Sequence, residues 1–202
     1  MNPNLLVLML LAAAATGPSA DELLRRVQLW IDGTRELQAR FEQSLRSEAF
    51  GTQQAESGVL YLSRPGRMRW DYERPERKVA LVFERHTELY LPEERQLQRG
   101  ELEPGADLLP VLLAGSTPLA QLFDASLAAG RLRLTPRAEG QGFQHVTLSV
   151  RDPDGAIEGA EVVDAAGNVI EYRFRGLRRN RGLPAALFRF EPPPGTEILG
   201  AP

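Results

Sequence analysis

Hydrophobic and polar residues alternate along most of this chain with the two-residue period that is typical of half-buried strands. The clearest example follows Pro65 and Gly66, two residue types that favour a tight turn. On the strand after this turn, Met68, Trp70 and Tyr72 point to one face and charged residues point to the other. The pattern therefore predicts two antiparallel strands that share one apolar face.

The same alternation predicts strands throughout the chain. The connections between them are short and rich in proline, glycine or charge, which is typical of antiparallel neighbours. Because long antiparallel sheets twist and curl, we expect an α+β domain that consists mainly of one curved antiparallel sheet. The predicted strands are Leu37–Leu45, Val59–Ser63, Arg67–Glu73, Lys78–Phe83, Glu88–Leu91, Arg95–Gly100, Leu132–Thr135, Phe143–Val150, Ile157–Val163, Val169–Leu177 and Leu187–Phe190.

Two regions have the spacing of helices instead. The first, Asp21–Asp32, repeats apolar residues every three or four positions and predicts an amphipathic helix. The second, Pro104–Phe123, is an apolar insertion that predicts two short helices. It does not predict a membrane span, because Pro110, Gly115 and Pro118 interrupt it.

The start of the chain is typical of an exported protein. Leu5–Ala15 is an uninterrupted apolar run, and small residues lead from it to the charged pair Asp21 and Glu22. We therefore expect residues 1–20 to be a signal peptide that is cleaved near Ala20, and residues 21–202 to form a single domain. A buried N-terminal helix is the alternative interpretation.

The composition is ordinary for a globular domain, with 43% hydrophobic residues, 25% charged residues and a formal net charge of -3. This charge gives no electrostatic reason to expect nucleic acid as a partner. Lys78 is the only lysine among 24 basic residues. The chain contains no cysteine, so disulfides, thiolate metal ligands and a lipid-modified cysteine are excluded. We therefore expect the mature domain to diffuse freely, as a monomer.

No arrangement of residues predicts catalysis, because no nucleophile stands in a recognisable setting with a base. His86 and His145 lie far apart and outside the spacing of metal ligands. Asp152 and Asp154 lack the further carboxylates of a calcium loop and predict a plain turn. We therefore expect no catalytic residues, no metal and no cofactor, and interpret the protein as non-enzymatic.

The apolar strand faces and the apolar insertion together predict a hollow for hydrocarbon under a helical lid. An ordinary thick core would bury the same residues and is the alternative. Burial of each methylene contributes about 0.8 kcal/mol, so an acyl chain of roughly fifteen carbons gains on the order of 10 kcal/mol. The candidate lining residues are Leu37, Phe41, Leu60, Leu62, Met68, Trp70, Tyr72, Leu109, Leu112 and Leu113.

The chain resembles the family of periplasmic lipoprotein carriers called LolA. The typical pattern of that family is a Gly-x-Leu strand, then Arg-Pro, then a strand that contains tryptophan. The matching residues are Gly58, Leu60, Arg64, Pro65, Trp70 and Pro75. The resemblance extends from Leu37 to the closing segment Phe188–Pro193, and so covers nearly the whole mature chain.

The resemblance implies an incomplete, half-open β-barrel whose mouth is covered by short helices. It implies a periplasmic carrier of acylated lipoproteins that is loaded by an inner-membrane ABC-type lipoprotein-releasing transporter and unloaded by an outer-membrane receptor. It also implies that Arg64 is a latch, because the matching arginine of the family hydrogen-bonds to the lid and keeps it shut. No cofactor is implied.

Two other functions stay open. The lipoprotein-sensing partner of a membrane anti-sigma factor resembles LolA in its N-terminal domain, but it carries an additional domain. An exported hydrolase of lipid or glycan would use carboxylates such as Asp71 and Glu73, although their place on a charged strand face favours solvent exposure. The arginine cluster Arg173–Arg181 is interpreted as a solvent-facing strand side, with an anionic partner as the alternative.

Overall fold

Most described residues lie in one mainly antiparallel sheet. The computed structural model describes residues 17–47, 51, 53–102, 109, 112–113 and 117–200. The strands in this part of the chain are β1 (Glu36–Arg46), β2 (Gln53–Ser63), β3 (Arg67–Arg74), β4 (Lys78–Phe83), β5 (His86–Leu91), β6 (Gln96–Glu101), β7 (Phe123–Ala128), β8 (Arg131–Pro136), β9 (Phe143–Val150), β10 (Ile157–Asp164), β11 (Val169–Arg179) and β12 (Glu197–Leu199).

The sheet is open. Its strand order is β12-β6-β5-β4-β3-β2-β1-β11-β10-β9-β8-β7, and β12 and β7 form its two edges. The short edge strand β12 runs parallel to β6, whereas the other neighbouring pairs are antiparallel. The predicted class is thereby confirmed: a mainly antiparallel sheet with few short helices that does not close into a barrel.

Helix α1 (Ala20–Asp32) confirms the predicted amphipathic helix and begins one residue earlier than expected. The Ser19 hydroxyl oxygen accepts a hydrogen bond from the Glu22 backbone N–H at 3.2 Å, which satisfies a donor that the helix start leaves without a partner. The buried residues of α1 are Leu23, Leu24, Val27, Trp30 and Ile31. This stripe packs against β7, β8 and the short helix Leu119–Leu122.

The apolar insertion is helical at most of its described positions. Leu109, Leu112 and Leu113 are helical and buried, and Leu119–Leu122 forms the second of the two predicted helices. Other positions of the insertion lie outside the described residues. Among the helices of the described residues, none has the length and apolar composition that would cross a membrane. The predicted signal peptide falls largely on residues 1–16, which also lie outside the described part.

The chain after β11 differs from the prediction. Leu187–Phe190 was predicted as a strand, but its first two residues belong to the 3₁₀ helix Ala185–Phe188 and its last two have no regular secondary structure. The reason lies in packing, because the Phe190 ring lies 4.7 Å from that of Tyr90 and covers the sheet instead of extending it. The last strand, β12, was not predicted.

Candidate functional site

One side of the sheet carries large apolar residues in register. Cross-strand partners lie on the same side of a sheet, so a row of paired residues defines a face. One such row consists of Ala39 on β1, Leu60 on β2, Trp70 on β3 and Ala80 on β4. We call the side with these residues the inner face. Helix α1 and the helical insertion supply the buried residues that pack against it.

The structure brings the candidate lining residues together on this inner face and beneath its helical cover. Tyr72 is half-buried and packs against the others. The remaining candidates are buried in one continuous cluster: Leu37, Phe41, Leu60, Leu62, Met68, Trp70, Leu109, Leu112 and Leu113. These side chains pack against one another, so the protein's own residues occupy the inner face.

An aromatic cluster lies at the centre of the inner face. The Phe41 ring meets Trp70 edge-on at 4.8 Å between centroids and Tyr72 edge-on at 5.1 Å. Tyr172 extends the cluster to β11, 5.8 Å from Trp70 and 6.2 Å from Phe174. Tyr172 and Phe174 were not among the predicted lining residues. Their alternation with arginines on β11 is the signal that could have placed them on the inner face.

The C-terminal end of α1 is held by two arginines. Arg64, in the turn after β2, donates from Nη1 to the Ile31 carbonyl oxygen at 2.6 Å. Arg179, at the end of β11, donates from Nη1 to the Trp30 carbonyl oxygen at 3.0 Å and to Thr34 Oγ1 at 3.1 Å. Positive charge is favourable here, because the last carbonyls of a helix lack intrahelical donors and carry partial negative charge. We call Arg64 and Arg179 the latch.

Arg64 was predicted as a latch on a helical lid. In the structure its guanidinium bonds to the C-terminal end of α1. Arg179 was interpreted as solvent-facing and is an exposed residue, but its guanidinium also lies 5.3 Å from the Trp30 ring centroid and bonds to the helix end. Arg173 and Arg175 fit the interpretation better, because both are exposed and form ion pairs with exposed glutamates. The distance in sequence between Arg179 and Trp30 explains why no local pattern showed their contact.

Asp71 and Glu73, the carboxylates that a hydrolase would use, each form an ion pair with an arginine. Asp71 accepts from Arg69 Nε at 2.6 Å, and Glu73 accepts from Arg40 Nη2 at 2.7 Å. Each is thus half of an ion pair and not one of a pair of cooperating carboxylates. Burial, and then the nearby Arg133 charge, lowers the pKa of His145. In the described ranges no three His, Cys, Asp or Glu side chains are grouped as metal ligands would be.

Comparisons with known proteins converge on one family. The family model described as "Outer membrane lipoprotein carrier protein LolA" matches residues 32–191. An outer-membrane lipoprotein carrier protein of Dechloromonas aromatica is 31% identical over 85% of this chain and 84% of its own length. Among solved structures, a LolA superfamily protein of Nitrosomonas europaea superposes with a TM-score of 0.50 at 13% identity, over 86% of this chain and 98% of that one.

A second solved structure shares the fold over only part of its length. MucB superposes with a TM-score of 0.50 at 18% identity, over 85% of this chain and 62% of the MucB chain. At this identity the match shows a common fold and nothing about a common role.

Proposed function

The chain belongs to the LolA family of outer membrane lipoprotein carrier proteins, and from this premise we propose that it carries acylated lipoproteins across the periplasm. In this proposal the acyl chains bind to the inner face, and the cargo passes from an inner-membrane ABC-type transporter to an outer-membrane receptor. Binding and transfer involve no covalent chemistry.

The observation that supports the proposal best is the apolar inner face with its helical cover. The cover consists of α1 and the helical insertion, and its described polar fastenings to the sheet include the latch bonds at the end of α1. Hydrocarbon that replaces the cover on the inner face keeps the aromatic cluster away from water. Loading therefore exchanges one apolar contact for another, and its free-energy change is smaller than exposure of the face to water would require.

Closed-empty and open-loaded forms follow from this exchange. The closed form competes with cargo for the same surface, so it limits affinity and assists release. A carrier that binds by hydrocarbon burial alone has no intrinsic direction. We infer that energy spent by the transporter at loading, and a higher affinity of the receptor, give the transfer its direction.

A release assay tests the proposal. Spheroplasts that contain a palmitoylated lipoprotein are incubated with the purified protein, and the supernatant is analysed by mass spectrometry for a complex of the two. We expect release with the parent protein and a loss of release with Trp70→Ala. Phe83→Ala is the matched aromatic control, because Phe83 is 45% exposed and points to the side of β4 opposite the inner-face residue Ala80. Lipoprotein that stays in the membrane with the parent protein would contradict the proposal.

The rival functions lack comparable support. The match to MucB gives the fold alone, so it does not favour a sensor over a carrier. Asp71 and Glu73, the carboxylates considered for a hydrolase, lie on the strand side opposite the inner face, and each is held in an ion pair. Turnover of a lipid ester by the purified protein would favour the hydrolase again.

A further inference from the structure

The inner face changes from apolar to polar at the end opposite the latch. Gln43 pairs with Glu56 across β1 and β2. Tyr72 pairs with Lys78 across β3 and β4. The two-residue period of the strands places these four side chains on the same side as Phe41. We call Gln43, Glu56, Tyr72 and Lys78 the polar cluster.

The members of the polar cluster hold one another in place. Lys78 Nζ forms an ion pair with Glu56 Oε1, and the two side chains are only 25% and 21% exposed. The same ammonium group lies 4.4 Å from the centroid of the Tyr72 ring. The Tyr72 hydroxyl donates to Gln43 Oε1 at 3.4 Å, a long hydrogen bond. Because half-buried charges lose hydration, this ion pair is expected to contribute little to stability.

The polar cluster is continuous with the aromatic cluster and reachable from solvent. Tyr72 belongs to both, since its ring also contacts Phe41. The partial exposure of Lys78 and Glu56 lets solvent reach the cluster at this end of the inner face. A hydrocarbon chain that lies along the aromatic cluster therefore ends beside the ammonium group of Lys78.

The chemistry of the cluster suits the end of an acyl chain. An acyl chain ends in a carbonyl oxygen, which needs a hydrogen-bond donor when it leaves water. Lys78 carries three donors and only some of them are used by Glu56. Burial raises the pKa of Tyr72, and the nearby Tyr172 and Glu56 raise it further, so its hydroxyl stays a donor. Glu56 only accepts, and it offsets the charge of Lys78.

On the basis of the proposed function, we propose that Lys78 is a subsite for the acyl carbonyl. Its ammonium group, held by Glu56 and the Tyr72 ring, donates to the carbonyl oxygen of the ester or amide at the head of a bound acyl chain. The hydrocarbon then points along the aromatic cluster, and the remainder of the cargo points to solvent. Free fatty acids and acylated lipoproteins share this carbonyl. The neutral Lys78–Glu56 pair favours an uncharged ester or amide over a carboxylate.

Binding of three soluble probes tests the subsite. Dodecanoylglycerol carries the ester carbonyl, dodecylglycerol ether lacks it, and dodecanoate carries a charge. We expect the parent protein to bind the ester about tenfold more tightly than the ether, because a hydrogen bond to a charged donor is involved. Lys78→Met should abolish this preference and leave the affinity for the ether unchanged, and Lys78→Arg should restore part of it.

The matched control is Arg99→Met. Arg99 forms an ion pair with Glu88 at 2.9 Å, with side-chain exposures of 30% and 26%. The substitution therefore breaks a similar ion pair outside the polar cluster. The control should keep the preference for the ester. Equal affinities of the parent protein for ester and ether would overturn the subsite, and tighter binding of dodecanoate would overturn its assignment to uncharged carbonyls. A parent protein that binds none of the three probes would instead refute the proposed function.

A second experiment uses the single lysine of the chain. Dodecanoyl and acetyl N-hydroxysuccinimide esters react with amines: the nitrogen attacks the acyl carbonyl, N-hydroxysuccinimide leaves with the bonding electrons, and the amine proton passes to buffer. Peptide mass spectrometry compares acylation of Lys78 with that of the N-terminal amine. The dodecanoyl reagent should raise the Lys78 share about tenfold over the acetyl reagent, and dodecanoylglycerol should suppress the increase. The same share with both reagents would contradict the subsite.

Discussion

At the scale of single residues, Gly58 allows the aromatic cluster to form. It lies on β2 between Phe41 of β1 and Tyr72 of β3, whose rings meet across it. A Cβ atom at this position would lie 1.9 Å from the backbone oxygen of Asp71 and 3.0 Å from Phe41 Cε1. The close approach of the two strands therefore depends on the missing side chain.

We predict that Gly58→Ala destabilises the protein by about 2–3 kcal/mol, because either β3 or Phe41 must shift. Urea unfolding measures the change. Gly100→Ala is the matched control, because a Cβ atom at that strand position meets only Thr87 Oγ1, at 3.5 Å. Equal stability losses in the two variants would contradict the argument.

The raised pKa of Tyr172 leads us to predict that the protein loses stability at alkaline pH. Burial, with a smaller contribution from Glu56, raises its pKa from 10.0 to about 12. The unfolded chain therefore loses this proton at lower pH than the folded protein does. Stability is unaffected below pH 10 and falls between pH 10 and about 12. Thermal unfolding of Tyr172→Phe across this range should show a shallower decline than that of the parent protein.

At this scale, the sequence predicted which side of the sheet a residue faces where large apolar residues alternate with polar ones. Met68, Trp70 and Tyr72 were assigned correctly to one face, because three large apolar residues at a two-residue period are informative. The pair Glu56–Lys78 was not foreseen, because the polar half of β2 shows no hydrophobic alternation and the register between strands is set by tertiary structure.

At the scale of elements, α1 is fastened at its C-terminal end by the latch and nearer its start by an ion pair of Arg26 with Asp152, and it is otherwise bound by its apolar stripe. The latch bonds reach it from two places, the turn after β2 and the end of β11. Those two places are brought together by β1, which pairs with both strands. The position of the cover is therefore tied to the register of the central sheet.

We predict that Arg64→Leu weakens the closed state by about 2 kcal/mol, since it removes a charged hydrogen bond to the end of α1. The variant should retain bound lipoprotein and transfer less of it to a receptor or to acceptor vesicles. Arg178→Leu is the control, because Arg178 is an exposed neighbour of Arg179 on the same strand. Transfer by Arg64→Leu at the rate of the parent protein would exclude a latch function.

Elements were predictable where their residues alternate and less so elsewhere. The strands of β1–β6 were found because apolar residues repeat on one face. β7 was missed because its sequence FDASLA contains alanines and an aspartate, which are poor strand formers, and its strand conformation comes from pairing with β8. The 3₁₀ helix Ala185–Phe188 looked like a strand because phenylalanines flank an arginine there.

At the scale of the whole molecule, the helical cover and the sheet share one hydrophobic cluster. Val27 and Trp30 of α1 belong to the same cluster as Leu132 and Leu134 of β8. Movement of the cover therefore exposes part of the core that stabilises the fold, at about 25 cal/mol for each Å² of apolar surface. Cargo that takes the place of the cover restores this burial, so loading and stability are coupled.

Of the two tryptophans of the chain, one lies on α1 and the other on the sheet. Trp30 is 4% exposed on α1 beneath the Arg179 guanidinium, and Trp70 is 7% exposed on the inner face. Removal of α1 from the sheet brings the indole of Trp30 into water and shifts its fluorescence emission to the red. Hydrocarbon beside Trp70 keeps that emission blue. Trp30→Phe and Trp70→Phe therefore each leave a single intrinsic fluorophore. Stopped-flow fluorescence of Trp70→Phe would measure the rate of cover opening, and that of Trp30→Phe would measure the rate of cargo entry.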